Sequence, residues 1–236
     1  GAEGIGTLGT AVEPFLDWMV DAGLHLWQFL PLCPGGPGFS PYSSPASAIG
    51  NPLLIDLGDL AAHGLLSDAE LNDAMAPPND RVDFAAVTAS KLPLLNTAAR
   101  RLVNDPQHIL YAGWVEFCHG SDFLEDAVLF LCLRTHFEGQ PWWEWPADIR
   151  GREPAALDAY GARLAEQIEE AKAIAFFFDH QWARVRQMAE DRKIHLVGDL
   201  PIYVAHDSAD VWANQALFAV YETGRAQWVA GVPPDL

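Results

Sequence analysis

The spacing of apolar residues changes along the chain, and the changes mark out its elements. Thr10 to Ala22 places Val12, Phe15, Leu16, Met19 and Val20 on one side of a helix, with Gly23 as its stop. Leu24 to Leu32, with Trp27, Phe29 and Leu30, has the length and aromatic content of a buried strand leading to Pro31. Cys33 to Pro52 is dense in Gly, Pro and Ser and too long for a simple turn; its prolines stiffen it, so a shaped surface is expected. Leu53 to Leu57 reads as another strand. From Ser67 to Ala173 helical spacing takes over. Ser67-Asp68-Ala69-Glu70 has the spacing of a capping box, and Phe84–Val103, Phe123–Phe137 and Ala155–Lys172 repeat apolar residues at the helical period. Trp142-Trp143-Glu144-Trp145-Pro146 interrupts them as an aromatic loop, and Phe176–Arg192 reads as a further helix. Ile194-His195-Leu196-Val197 is then a short buried strand that ends in Gly198-Asp199. Strands separated by long helical stretches predict an α/β domain with a parallel sheet.

Composition narrows the classes open to such a domain. Hydrophobic residues make up 50% of 236 positions and charged residues 19%, which supports a sizeable core. The net charge of −18 repels phosphate backbones and anionic membranes, so neither nucleic acid nor a membrane is an expected partner. Cys33, Cys118 and Cys132 are widely spaced and odd in number, so a disulfide framework or metal site is not expected and a reducing, cytoplasmic compartment is. The longest strongly apolar run, Ala173–Phe178, is far too short to span a bilayer. No motif calls for a cofactor. The chain opens on Gly1 instead of Met, from which a piece of a longer protein or a processed form is expected.

In α/β folds ligand groups collect at the carboxyl ends of the strands, which singles out the loop carrying Ser40-Pro41-Tyr42 and the carboxylate of Asp199. Read alone, Asp199 is equally a ligand contact or a loop-ordering carboxylate. Tyr42 has a ring suited to the C–H face of a sugar and a hydroxyl for a polar partner, although the residues alone favour a tyrosine packed under its own loop. Trp142, Trp143 and Trp145 suit a sugar platform or, preferably, a plug between helices. Asp207 reads as a helix cap, and Glu169-Glu170 as a solvated pair.

Several stretches resemble the amylomaltase or disproportionating-enzyme family of 4-α-glucanotransferases, glycoside hydrolase family 77. These are Trp27-Gln28-Phe29-Leu30-Pro31-Leu32 with Ser40-Pro41-Tyr42-Ser43-Ser44 and Gly50-Asn51-Pro52, then Gly198-Asp199-Leu200-Pro201-Ile202-Tyr203-Val204 with Asp207-Ser208-Ala209-Asp210-Val211-Trp212, then Val229-Ala230-Gly231-Val232-Pro233-Pro234-Asp235. They run in family order along the whole chain. Cys33 and Pro37 depart from the family's usual glycine and aromatic.

The resemblance implies a (β/α)8 TIM barrel of the alpha-amylase type with helical insertions, of which only the first strands are expected here. The implied divisions are 1–66 (first strands and substrate loop), 67–175 (helical insertion) and 176–236 (third-strand region and start of a cleft loop). It implies transfer of α-1,4-glucan segments to glucose or maltodextrin acceptors through a covalent glycosyl-enzyme, on maltodextrin, starch or glycogen. Ser40, Pro41, Tyr42 and Asp199 match substrate contacts, and Val232, Pro233, Pro234 and Asp235 match the start of a mobile loop over the cleft. The nucleophile aspartate, acid/base glutamate and stabilising aspartate are expected beyond Leu236, so this stretch alone is expected to be inactive and poorly soluble. The alternative is a naturally short, non-catalytic glucan-binding or regulatory protein; a hydrolase that transfers to water is a third reading.

Overall fold

A computed structural model describes residues 2–73, 80–121, 123–229 and 231. Helix α1 (Val12–Asp21) buries Val12, Leu16 and Met19, while Phe15 and Val20 stay partly exposed. Gly23, at φ +69°, closes it: its N–H donates to the Val20 carbonyl and that of Leu24 to the Met19 carbonyl, a turn that favours a residue without a Cβ. Strand β1 (Leu26–Phe29) follows directly.

Residues 33–52 form the expected stiff surface, with 3-10 turns at Pro37–Phe39 and Pro41–Ser43. The strand expected at Leu53–Leu57 is not formed. Pro52–Leu54 is a 3-10 turn, because the Asn51 side chain accepts the Leu53 N–H and Pro52 fixes the first turn. Asp56 then caps α2 (Leu57–Ala62) by accepting from the Asp59 N–H.

The helical stretch comprises α3 (Asp68–Asp73), α4 (Phe84–Val103), α5 (Tyr111–Gly120), α6 (Leu124–His136), the short α7 (Ala147–Arg150), α8 (Pro154–Arg163) and α9 (Ala165–Asp191). The helix expected over Ala155–Lys172 is broken at Leu164, and α9 runs unbroken through the boundary expected between Lys172 and Phe176. Amphipathic spacing fails across that stretch. It fails because Ala173, Ala175, Phe176, Phe177 and Phe178 are all buried, on a helix packed by α1, α4, α5, α6 and α8 and by the second strand.

Strand β2 (His195–Gly198) pairs with β1 in parallel, Leu26 opposite His195 and Phe29 opposite Gly198. The expected parallel sheet is thus present as a strand pair among the described residues. Trp27, Phe29 and Leu196 face the helices, where Trp27 meets Phe15 and Phe29 meets Trp182 edge-on. Neither strand is buried as expected: the opposite face leaves Leu26 66% and Val197 41% exposed, although parallel sheets are ordinarily covered on both faces. The chain continues into α10 (Ala209–Ala213).

Two hydrophobic clusters carry the site. One lies under the strand pair around Leu16, Ile55, Leu95 and Phe177. The other gathers Phe130, Trp142, Trp145 and Trp212 between α6 and α10. Its tryptophans are fully buried and satisfied: Trp142 Nε1 donates to the His206 carbonyl at 2.7 Å, and Trp212 Nε1 to the Ile149 carbonyl at 3.1 Å. Trp142 and Trp145 of the aromatic loop are therefore a plug between helices, as expected, whereas Trp143 is only partly buried and stacks on the His206 ring.

Candidate functional site

The loop 33–52 is shaped from within. The Gly36 N–H donates to the Ser40 carbonyl, and a Cβ on Gly36 would sit 1.7 Å from the Ser43 carbonyl oxygen, so only glycine fits that approach. The Cys33 thiol, buried, donates to the Pro41 carbonyl at 3.3 Å. Ser40 is extended, as a residue before proline prefers, and Pro41 opens the turn that carries Tyr42. The base of the loop is closed by the Asn51 N–H donating to the Leu32 carbonyl at 2.7 Å.

Tyr42 does not pack under this loop, contrary to the reading its residues alone favoured. It is 45% exposed and reaches across to the end of β2, where its hydroxyl donates to Asp199 Oδ2 at 2.5 Å. The turn at Pro41 aims the ring outward, and the partner that draws it lies far away in sequence. The hydrogen bond to Asp199, then partial desolvation and the carboxylate's charge, raise the phenol above its ordinary 10.0, so Tyr42 is a neutral donor at neutral pH. Among the described residues no hydrogen bond engages Asp199 Oδ1, which leaves that oxygen as an acceptor for an incoming hydroxyl. Asp199 also lines a cavity of about 360 Å³ with Leu32, Cys33, Ile49, Phe178 and Trp182.

Ser40, Pro41, Tyr42 and Asp199 thus converge at the carboxyl ends of β1 and β2. Val232, Pro233, Pro234 and Asp235 lie outside the described residues. Two other carboxylate readings are corrected. Ser208, not Asp207, caps α10 by accepting from the Val211 N–H, since a serine in that position reaches its own helix's first turn. Asp207 instead accepts the Trp142 N–H at 3.2 Å and pairs with Arg134 at 3.4 Å. Glu170 is not simply solvated: it accepts from Arg100 Nε at 2.9 Å with its side chain only 13% exposed. Sequence reasoning missed the bond between Ser47 and Asp210, for which the sequence carries no local signal.

Among the described residues, no group of three or more His, Cys, Asp or Glu is arranged to hold a metal ion. No described helix is long and apolar enough to cross a membrane. Cys118 and Cys132 are free thiols, each pushed up to about 11, chiefly by burial, and so are poor nucleophiles at neutral pH.

A parallel strand pair whose carboxyl ends carry a stiff aromatic loop and a carboxylate, bonded to each other beside a cavity, is the ligand-facing edge of an α/β domain. The family model described as 4-alpha-glucanotransferase matches residues 1–236, and the chain belongs to that family. It is 41% identical over 234 residues to a 4-alpha-glucanotransferase of Synechocystis sp., covering 98% of this chain and 46% of that protein. It is 39% identical over 241 residues to a chloroplastic/amyloplastic 4-alpha-glucanotransferase of Oryza sativa subsp. japonica, covering 100% of this chain and 40% of that one. The structure resembles that of an amylomaltase from Streptococcus agalactiae in complex with acarbose, at a TM-score of 0.94 and 31% identity, over 100% of this chain and 48% of the other. An amylomaltase from Corynebacterium glutamicum, 17% identical over 94% of this chain and 30% of its own, shares the fold at a TM-score of 0.68. The chain spans under half the length of each of these proteins.

Proposed function

We propose that this chain forms one wall of the glucan groove of a 4-α-glucanotransferase. Tyr42 stacks on a sugar ring, Asp199 Oδ1 accepts a sugar hydroxyl, and Ser40 and Pro41 hold the tyrosine at the groove's edge. The observation that carries the reading is the hydrogen bond between Tyr42 and Asp199, which unites the two expected sugar contacts across 157 positions. Family membership supports it, and so does the likeness to a structure described as an acarbose complex.

On this reading β1 and β2 are neighbouring strands of a (β/α)8 barrel, with 67–175 as a helical insertion between 1–66 and 176–236. The region 1–66 then contributes a single strand among the described residues, fewer than expected. Transfer with retention uses a nucleophilic carboxylate and an acid/base carboxyl about 5–5.5 Å apart. We assign these, with the stabilising aspartate, to sequence beyond Leu236, and the cleft loop to Val232–Asp235. The acceptors are glucose or maltodextrins, the compartment is cytoplasmic, and this stretch alone turns nothing over.

The test is product analysis of the full-length gene product incubated with maltotriose. The expected result is glucose together with dextrins longer than the substrate. Glucose and maltose alone would make the protein a hydrolase, and maltotriose binding without turnover would make it a non-catalytic glucan binder.

A further inference from the structure

Tyr42 needs more than its own loop to meet Asp199 in a fixed orientation. The bond between them is one contact at an exposed edge, and a single bond is a pivot: it sets a distance and leaves rotation free. The loop on one side and the segment 199–210 on the other touch a second time. Asp210 Oδ1 accepts the Ser47 hydroxyl at 2.5 Å, and Asp210 Oδ2 accepts the Ser47 N–H at 3.1 Å. Beside this fork the Ala209 N–H donates to the Pro45 carbonyl at 2.8 Å.

Both sides of this second contact are anchored. Ser44 and Ala46 are buried, and Ala46 belongs to the tryptophan cluster that also holds Val211 and Trp212. Ser208, itself buried, caps the short helix that presents Asp210. One stretch of chain, 199–210, therefore carries Asp199 at its start and Asp210, in the first turn of α10, at its end. Each grips the same loop, at Tyr42 within the 41–43 turn and at Ser47 beyond it. Two separated attachments between two segments remove the rotation that one would allow, and a charged acceptor taking two donors is stronger and more directional than a neutral single bond.

We propose that Asp210 is a positioning residue: through its fork to Ser47 it locks the 33–52 loop onto the 199–210 segment and so fixes the orientation in which Tyr42 meets Asp199. Its consequence for catalysis rests on the glucan-binding reading, whereas the clamp itself does not.

The test uses the full-length gene product and two measurements. Hydrogen–deuterium exchange of peptides covering 33–52 is followed in the parent protein and in Ser47→Ala, Ser47→Thr and Asp210→Ala. Loss of the hydroxyl's bond to the charged carboxylate should speed exchange of this loop about tenfold or more in Ser47→Ala. Asp210→Ala should do so more strongly, and Ser47→Thr, which keeps the hydroxyl, should restore parental protection. Because Asp210 sits in the first turn of α10, its variant also risks loosening that helix; Ser47 lies outside it, so Ser47→Ala decides the matter.

The second measurement is the KM and kcat for maltotriose, where Ser47→Ala should raise KM about three- to tenfold with a smaller change in kcat. Unchanged loop exchange in Ser47→Ala, or exchange that Ser47→Thr fails to restore, overturns the clamp. Faster exchange with unchanged KM in an active protein overturns its role in positioning Tyr42. If the parent protein shows no activity on maltotriose, the functional reading fails instead, and the exchange measurement still decides the clamp.

Discussion

Tyr42 and Asp199 stand at the ends of different segments, and neither has a reason in its own neighbourhood to face the other. Each was legible as a candidate: Asp199, just past a strand, read equally as a ligand contact or a loop-ordering carboxylate, Tyr42 alone read rather as packed under its own loop, and the resemblance to the family singled out both. Their partnership was not legible, because local sequence carries no record of a hydrogen bond across 157 positions. The bond makes a pH prediction. A phenol raised by donation to a carboxylate stabilises the paired state fully below its ordinary 10.0 and loses that contribution as pH rises through the raised value. Binding of maltodextrin should therefore be insensitive to Tyr42 ionisation from neutral pH up to about 10, then fall. Tyr42→Phe, which keeps the ring and removes the donor, should bind more weakly at neutral pH and lose this alkaline limb. Affinity titrations of the two proteins across that range check it, and an alkaline limb that survives in Tyr42→Phe would assign it to another group.

At the scale of elements, regular amphipathic spacing made helix ends readable even without a side-chain cap: α6, which no side chain caps, lies within one residue of the expected Phe123–Phe137. The expected α4 matches the observed Phe84–Val103, which Asp83 caps by accepting the Ala86 N–H. The capping box also forms as expected: Ser67 N–H donates to Glu70 Oε2 at 2.8 Å, and the Glu70 N–H to Ser67 Oγ at 3.4 Å. The break at Leu164 has no glycine, proline or capping residue to announce it, and in the interior of α9 burial on every side erases the periodicity. The capping box gains a third partner in Arg101 on α4, whose guanidinium grips both Glu70 oxygens at 2.9 Å. Donation from Arg101, with the Ser67 bonds, lowers Glu70 from 4.5 to about 2. A depressed carboxylate contributes stability above its unfolded pKa and loses it as pH falls through the folded value. The contact between α3 and α4 should loosen between pH 4.5 and about 2, and Glu70→Gln should remove most of that pH dependence. Amide exchange in 67–72 as a function of pH reads this out; an identical acid profile in Glu70→Gln would show that Glu70 is not the titrating group.

For the whole molecule, the parallel arrangement of the strands followed from their separation by helical sequence, as expected. The tryptophan cluster packs beside this arrangement. It ties α6 to α10, and through Trp142 it holds His206 and Asp207 in the segment that leads from Asp199. The plug was legible as a preference for Trp142, Trp143 and Trp145, of which Trp142 and Trp145 are buried. Its carbonyl partners were not, because the His206 carbonyl that Trp142 meets belongs to an irregular stretch with no period to read. The fold thus brings a stiff loop and a strand-end carboxylate together, and the proposed glucan wall depends on that convergence.

Equilibrium binding of acarbose to the full-length gene product, compared with Asp199→Ala, tests this dependence most directly. Removal of a charged hydrogen-bond acceptor from a working sugar contact should weaken binding about 10- to 100-fold while the far-ultraviolet circular dichroism stays unchanged. Equal affinity in the two proteins would contradict the assignment of Asp199, and with it the glucan wall built on Tyr42 and Asp199.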